Sequence, residues 1–322
     1  MKIAVTGATG FVGSHLIDRL VGEGHDAIAL ARAASDIRAL SSNGISIVTG
    51  DVTDLEAVKR VVSDCDVVIN LARAKAHGQR PRHEVTSVNV DGARNVAREA
   101  ARAGADVIHA SSTAVYGSRI PNIPVSESSP ANPDSIYAKS KLDGERAVTA
   151  ECSNAKILRI SAVLGPRCMS WLGLFRSARD GTLRTVGDAS NFHHPVDVAD
   201  VVDAIMQCIA HPDSAGVYNI AGPAPLSMRE MVTLMARASG VEPRPRVTPA
   251  VLVDAYGAAG MLAAKLGVTL PRMESVLFLN GNRSFDLSRA RGELGYEPRV
   301  QPAQAIERTA SWYRSQGLLN QD

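Results

Sequence analysis

Short apolar runs alternate along the first half of the chain with stretches whose apolar residues recur at helical spacing. The first run begins at Lys2, and others follow at Ala27-Ile28-Ala29-Leu30-Ala31, Ile45-Ser46-Ile47-Val48, Val67 to Ala72, Val107 to Ser112 and Lys156 to Ser161. Nearly continuous apolar runs of this kind predict strands buried on both faces, and the segments between them predict covering helices. The expected fold is therefore α/β, a doubly wound parallel sheet with its ligands at the carboxyl ends of the strands. At 322 residues the chain exceeds what one such layer needs. A smaller C-terminal α/β lobe is predicted, with residues 1–166 as the main domain and 167–322 mainly forming the lobe.

The run at Lys2 passes through Thr6-Gly7-Ala8-Thr9-Gly10-Phe11-Val12-Gly13 into an amphipathic stretch. Glycines at this spacing build a phosphate cradle. Gly7 permits the turn, Gly10 leaves the backbone open to a pyrophosphate, and Gly13 lets the helix pack close to the strand. The second run ends in Ala31-Arg32, where a carboxylate would hold an adenosine ribose. The third ends in Gly50-Asp51-Val52, and Thr53 or Asp54 is placed to cap the next helix.

Charge narrows the partner. Lys+Arg 35 against Asp+Glu 33 leaves a net charge of +2 with the signs interspersed, which gives no support to a nucleic-acid or membrane-surface role. The expected ligand is a small molecule. Cys65, Cys152, Cys168 and Cys208 are scattered without metal-ligand spacing, so free thiols, no metal site and a reducing, cytoplasmic setting are expected. The beginning of the chain lacks the apolar core of a signal peptide. The apolar stretch Val251 to Leu266 is too short and too charged, at Asp254 and Lys265, for a membrane span.

Tyr137 and Lys141 stand one helical turn apart in Tyr137-Ala138-Lys139-Ser140-Lys141, on one face. Upstream lie Ser111-Ser112-Thr113-Ala114-Val115-Tyr116-Gly117 and the proline-rich lead-in Glu127 to Ser135. Together with the glycine turn, these resemble the extended branch of the short-chain dehydrogenase/reductase superfamily, a Rossmann-type fold. The segment Phe285-Asp286-Leu287-Ser288-Arg289-Ala290 through Gly295-Tyr296-Glu297-Pro298 is similar to that superfamily's terminal signature, so the resemblance covers nearly the whole chain; it implies that 1–166 is the nucleotide domain, that segments around 191–222 return to it, and that 167–322 is mainly the substrate lobe. It implies a nicotinamide cofactor and assigns Ser112, Tyr137 and Lys141 to catalysis. It makes Asn89 a support for the lysine. For the cofactor it implies Thr9, Phe11 and Val12 beside the three glycines, Asp51 and Val52 at the adenine, and Leu71, Ala72 and Arg73 after the fourth strand. Ser111, Ser161 and Val163 complete the set, with Tyr137 and Lys141.

The chemistry that suits these groups is hydride exchange between a carbonyl and a nicotinamide. A proton donor must stand at the carbonyl oxygen, and a cation must favour the tyrosinate, since free Tyr titrates near ~10. His109, His193 and His194 are read as packed rather than catalytic. NADP(H) is the expected cofactor, because Arg32 can meet a 2′-phosphate, with Ser35 adding a hydroxyl and Arg38 in reserve; NAD(H) is the second candidate. Sugar-nucleotide members carry an Asn after the sixth strand where this chain has Ala162. Arg272-Met273-Glu274-Ser275-Val276 is more similar to hydroxysteroid dehydrogenases and dihydroflavonol reductases, and Ala255 to Leu266 either lines an apolar substrate mouth or forms a core helix. The leading expectation is an oxidoreductase for a small, fairly apolar ketone or alcohol. A nucleotide-sugar 4-epimerase or dehydratase with tightly bound NAD, and a non-catalytic NADP-sensing protein, stay open as alternatives. The resemblance also implies a homodimer through the helices at Asn89 to Ala103 and Tyr137 to Ala150.

Overall fold

The computed structural model describes residues 1–74, 81–118, 120, 122–244, 246–249, 251–253, 255, 256, 259 and 281–319. Arg272 to Val276 and most of Ala255 to Leu266 lie outside them. The apolar runs become six strands, β1 (Lys2–Thr6), β2 (Asp26–Ala31), β3 (Ser46–Thr49), β4 (Val67–Asn70), β5 (Asp106–Ser112) and β6 (Lys156–Ile160). A seventh, Gly216–Ile220, returns much later and pairs with β6. Across the sheet the order is Gly216–Ile220, β6, β5, β4, β1, β2, β3, and every pairing is parallel. The chain thus builds outward from β1 in one direction through β2 and β3, then reverses through β4. The crevice of such a sheet opens at that reversal, between the carboxyl ends of β1 and β4.

Helices cover both faces, as the doubly wound pattern requires. They are α1 (Phe11–Gly22), α2 (Arg38–Ser42), α3 (Leu55–Val62), α4 (Arg82–Thr86), α5 (Ala93–Ala103) and α6 (Ile136–Glu151). On one face Leu16, Ile17 and Leu20 of α1 share an apolar cluster with Val201 and Ile205 of the Val198–Ala210 helix. On the other, Val58 and Val61 of α3 meet Val96 and Ala100 of α5 and Val148 of α6. Asp54 caps α3, accepting from the Glu56 and Ala57 amides at 3.1 and 3.2 Å. Ser135 caps α6 through the Ala138 amide at 3.1 Å. The helix expected at Asn89 to Ala103 is present, but its first part, Ser87–Gly92, is wound as a π-helix before α5 begins. Such local widening marks functional segments, and here it carries Asn89.

A third apolar cluster belongs to the later part of the chain. Phe175 of the Leu172–Arg179 helix, Met228, Met231 and Met235 of Met228–Ala238, and Ile306, Ala310 and Tyr313 of Pro302–Ser315 pack together with Leu164. Among the described residues no helix is long and apolar enough to cross a membrane.

Candidate active site

The carboxyl ends of the strands open into a cavity of ≈ 940 Å³, at the upper end of the range for small-molecule sites. Every residue expected from the sequence to touch the cofactor lines it, from Gly7 to Val163, as do Ser112, Tyr137 and Lys141. Asn89 does not.

The cradle fits a dinucleotide. Gly7 has φ +69°, a left-handed conformation, and a Cβ there would lie 2.7 Å from the Leu71 carbonyl carbon. A Cβ at Gly13 would lie 2.2 Å from the Gly7 oxygen, so only glycine allows α1 to approach this turn. Gly10 is the N-cap of α1 and supplies no side-chain cap, which leaves the amides of the first turn for an anion. Thr6 ties β1 to the loop after β4: its carbonyl accepts from the Leu71 amide and its hydroxyl from the Ala72 amide, both at 3.2 Å. Arg32 is exposed at the end of β2. Arg38, the expected reserve, does not line the cavity and is paired with Asp36 at 2.6 Å.

The reacting groups come from β5 and α6. Lys141 is buried on α6, and its Nζ donates to the Ala110 carbonyl of β5 at 2.5 Å. Burial first, then the positive Arg73, brings its pKa down to about 8, with Glu145 opposing the shift. Tyr137, one turn earlier, is half-buried and lines the cavity. The Ser112 hydroxyl accepts from the Ala114 amide at 3.2 Å, closing the Thr113–Tyr116 turn and keeping its own O–H to donate. Ser111 points its hydroxyl elsewhere, to the buried Glu145, which is held in turn by Arg159 at 2.8 Å. The Ser161 hydroxyl likewise donates away from the cavity, to the His194 carbonyl at 2.5 Å. Both serines therefore border the cavity with their hydroxyls engaged.

Asn89, expected as a support for the lysine, bonds to its neighbours. Its side chain accepts from the Ala74 amide at 2.7 Å and donates to the Ala74 carbonyl and to Ser140 Oγ, both at 2.9 Å. It fastens Ala74 to Ser140 of α6, one residue before Lys141. His194 keeps to the structural reading: Nδ1 accepts from the Phe285 amide at 3.1 Å, and Nε2 donates to the Gly222 carbonyl at 2.9 Å.

Hydride chemistry fits this assembly: a phenol for the proton, a buried cation beside it, a serine hydroxyl for the substrate oxygen, and a phosphate cradle. The profile of the NAD dependent epimerase/dehydratase family matches residues 3–221. The chain belongs to that family. As a member of this enzyme family it is NAD(P)-binding. It is 30% identical to the UDP-glucose 4-epimerase of Mycolicibacterium smegmatis, covering 98% of this chain and 99% of that one. It is 29% identical to the 2-alkyl-3-oxoalkanoate reductase of Stenotrophomonas maltophilia, over 96% and 98% of the two chains. The crystal structure of Bordetella bronchiseptica WbmG in complex with NAD superposes with a TM-score of 0.79 at 22% identity, over 99% and 95% of the chains.

The sequence did not single out Arg283, Asp134, Ser118, Trp171 or Leu174, all of which line the cavity. They reach it from the lead-in to α6 and from segments beyond β6, and no spacing rule links them to the glycine turn or to Tyr137.

Proposed function

We propose that this protein is an NADP(H)-dependent oxidoreductase that interconverts a ketone and a secondary alcohol on a small, largely apolar substrate. The observation that carries this reading is a shared wall: Ser112, Tyr137 and Lys141 line the same cavity as Phe11, Ala162, Trp171 and Leu174. In the reducing direction Ser112 Oγ–H holds the substrate oxygen, and the Tyr137 phenol gives it a proton. In the oxidising direction the tyrosinate takes that proton back, stabilised by the Lys141 cation that the Ala110 carbonyl holds in place. The nicotinamide, when bound, supplies or receives the hydride.

Preference for NADP(H) rests on Arg32, which lines the cavity where β2 ends, while the carboxylate of Asp36 is occupied by Arg38. A charge-assisted contact to a 2′-phosphate is worth roughly ten- to a hundredfold in affinity. Arg32→Ala should weaken NADPH by that factor in titration and leave NADH nearly unchanged. Equal wild-type affinities for the two cofactors at matched ionic strength would reject the preference. A carbonyl panel with NADPH tests the reaction itself, and loss of turnover in Tyr137→Phe would exclude a non-catalytic NADP-sensing role.

The second reading is a nucleotide-sugar 4-epimerase or dehydratase with tightly held NAD, favoured by the epimerase relative aligned over almost the whole chain. Conversion of a UDP- or dTDP-sugar without net cofactor consumption would establish it in place of the first. The division into 1–166 and 167–322 and a cytoplasmic setting belong to our reading, the latter supported by four buried free cysteines. So does a homodimer through α5 and α6. Their outward residues are mostly charged, with Arg94 paired to Asp91 and Lys139 and Arg146 to Asp143. Light scattering at micromolar concentration should give a dimer mass; a monomer mass would reject it.

A further inference from the structure

We propose that Trp171 sets the length of the substrate: its indole is the end wall of an apolar strip that takes an alkyl substituent of the reacting carbonyl. This rests on the carbonyl reading above and names the substrate class more closely. Ser112 and Ile160 are register partners on β5 and β6, which places them about 4.8 Å apart across the sheet. Ala162 follows Ile160 by two residues, no more than ~7 Å along the chain. The next carbonyl, that of Val163, accepts the Trp171 indole N–H at 2.9 Å. The indole is thus bonded to a backbone that starts beside Ser112, and it lines the same cavity.

The segment that carries Trp171 is braced from behind. The Gly165 amide donates to the Thr309 hydroxyl at 2.8 Å. The Cys168 carbonyl accepts from the Tyr313 hydroxyl, and the Tyr313 ring meets Phe175 edge-on at 5.3 Å. Both sides of Trp171 are therefore tied to the Pro302–Ser315 helix, and the indole has little slack to yield. Its one hydrogen-bonding atom is engaged by Val163, so what it offers the cavity is hydrocarbon. Phe11, Ala162 and Leu174 pack on the cluster that contains Trp171, and all three line the cavity with it. Ala162 contributes only a methyl group to this strip, so its bulk lies at Trp171 and Leu174. A substituent lying along the strip gains roughly fourfold in affinity for each methylene buried. Beyond the indole the gain reverses, because overfilling a packed site costs more than the next methylene contributes.

The experiment uses the full chain with NADPH and a series of methyl ketones of increasing straight-chain length. In the wild type kcat/KM should rise roughly fourfold per methylene to an optimum and then fall, mainly through KM. Trp171→Ala should move the optimum to longer chains and Trp171→Phe should move it less far. Leu174→Phe, which adds bulk to the same wall, should move it to shorter ones. In parallel, the NADP⁺-loaded protein is melted with the matching 2-alkanols or with UDP, and the rise in melting temperature should show the same optimum and the same displacements. Where Trp171→Ala does not fold, the displacement in Trp171→Phe decides. A wild type indifferent to chain length, or an optimum that stays in place in the Trp171 variants, overturns the proposal. Protection by UDP that Trp171→Ala removes, with none by any alkanol, overturns it in favour of a base stacked on the indole. Failure of every ketone to turn over, with alkanol protection still displaced by the Trp171 variants, rejects the carbonyl reading and leaves the wall standing. Turnover of ketones without a chain-length optimum does the reverse.

Discussion

At the scale of single residues, His194 shows how bonding decides protonation. Both ring nitrogens are engaged by backbone groups, and the ring lies nearly parallel to Phe285, 11° between planes. Burial is the main cause that brings its pKa down to about 4. The folded protein therefore stays unprotonated where an unfolded chain, titrating near ~6.5, takes up a proton. The stabilising contribution is complete above about pH 6.5 and is lost as the pH falls toward 4. Urea unfolding of the wild type and His194→Gln at pH 7 and pH 5 should differ in pH dependence by ~2 kcal/mol, the wild type losing more on acidification. Parallel losses in the two proteins would show that His194 does not carry the effect. His109 also resists protonation, through burial and then the nearby Lys141 charge. Its Nδ1 meets Asn70 at 3.1 Å, and its buried Nε2 has no hydrogen-bond partner among the described residues.

At the scale of elements, the reacting end of β5 is braced from behind. Ser111, Arg159 and Asn219 stand in register across β5, β6 and the Gly216–Ile220 strand. Arg159 binds Glu145 of α6 and the Tyr116 hydroxyl, which itself donates to Asn219 Oδ1 at 2.8 Å. Arg159 and Glu145 are both nearly buried. Breaking one partner of such a pair costs about 3–5 kcal/mol, because the other charge is left behind. Glu145→Gln should lose that much in chemical denaturation. It should also shift the Lys141 transition to lower pH, since Glu145 is the charge that favours the cation; an unchanged pH profile would separate the brace from the lysine. Much of this geometry was legible in the chain itself. The glycine spacing and the i, i+4 pair of Tyr137 and Lys141 are local patterns, and local patterns survive without knowledge of the tertiary fold. The π-helical turn at Asn89 was not, because Ser87 to Gly92 read in sequence as part of an ordinary helix. The hydroxyl partners of Ser111 and Ser161, Glu145 and the His194 carbonyl, lie 34 and 33 residues away and could not be read from local spacing. Arg283 and Trp171 were invisible for the same reason, being brought to the cavity by segments with no fixed spacing to the motifs.

At the scale of the whole molecule, the late return of Gly216–Ile220 to the sheet governs how the chain can be divided. The five residues of β6 are all buried, and their outer neighbour is this last strand. A fragment ending at Pro166 would keep the cradle and the tyrosine but expose β6 as a bare sheet edge, with unpaired amides and carbonyls beside an apolar face. Such a fragment should accumulate in inclusion bodies, and a 1–222 fragment that supplies the strand should be the more soluble of the two on expression. The reason lies in the order of events as much as in the final contacts. During synthesis β6 emerges more than fifty residues ahead of the strand that covers it, an interval in which a nascent chain presents its stickiest edge to its surroundings. Closing that long loop is a slow, entropically costly step, and the vulnerable moment of this enzyme is its birth rather than its working life.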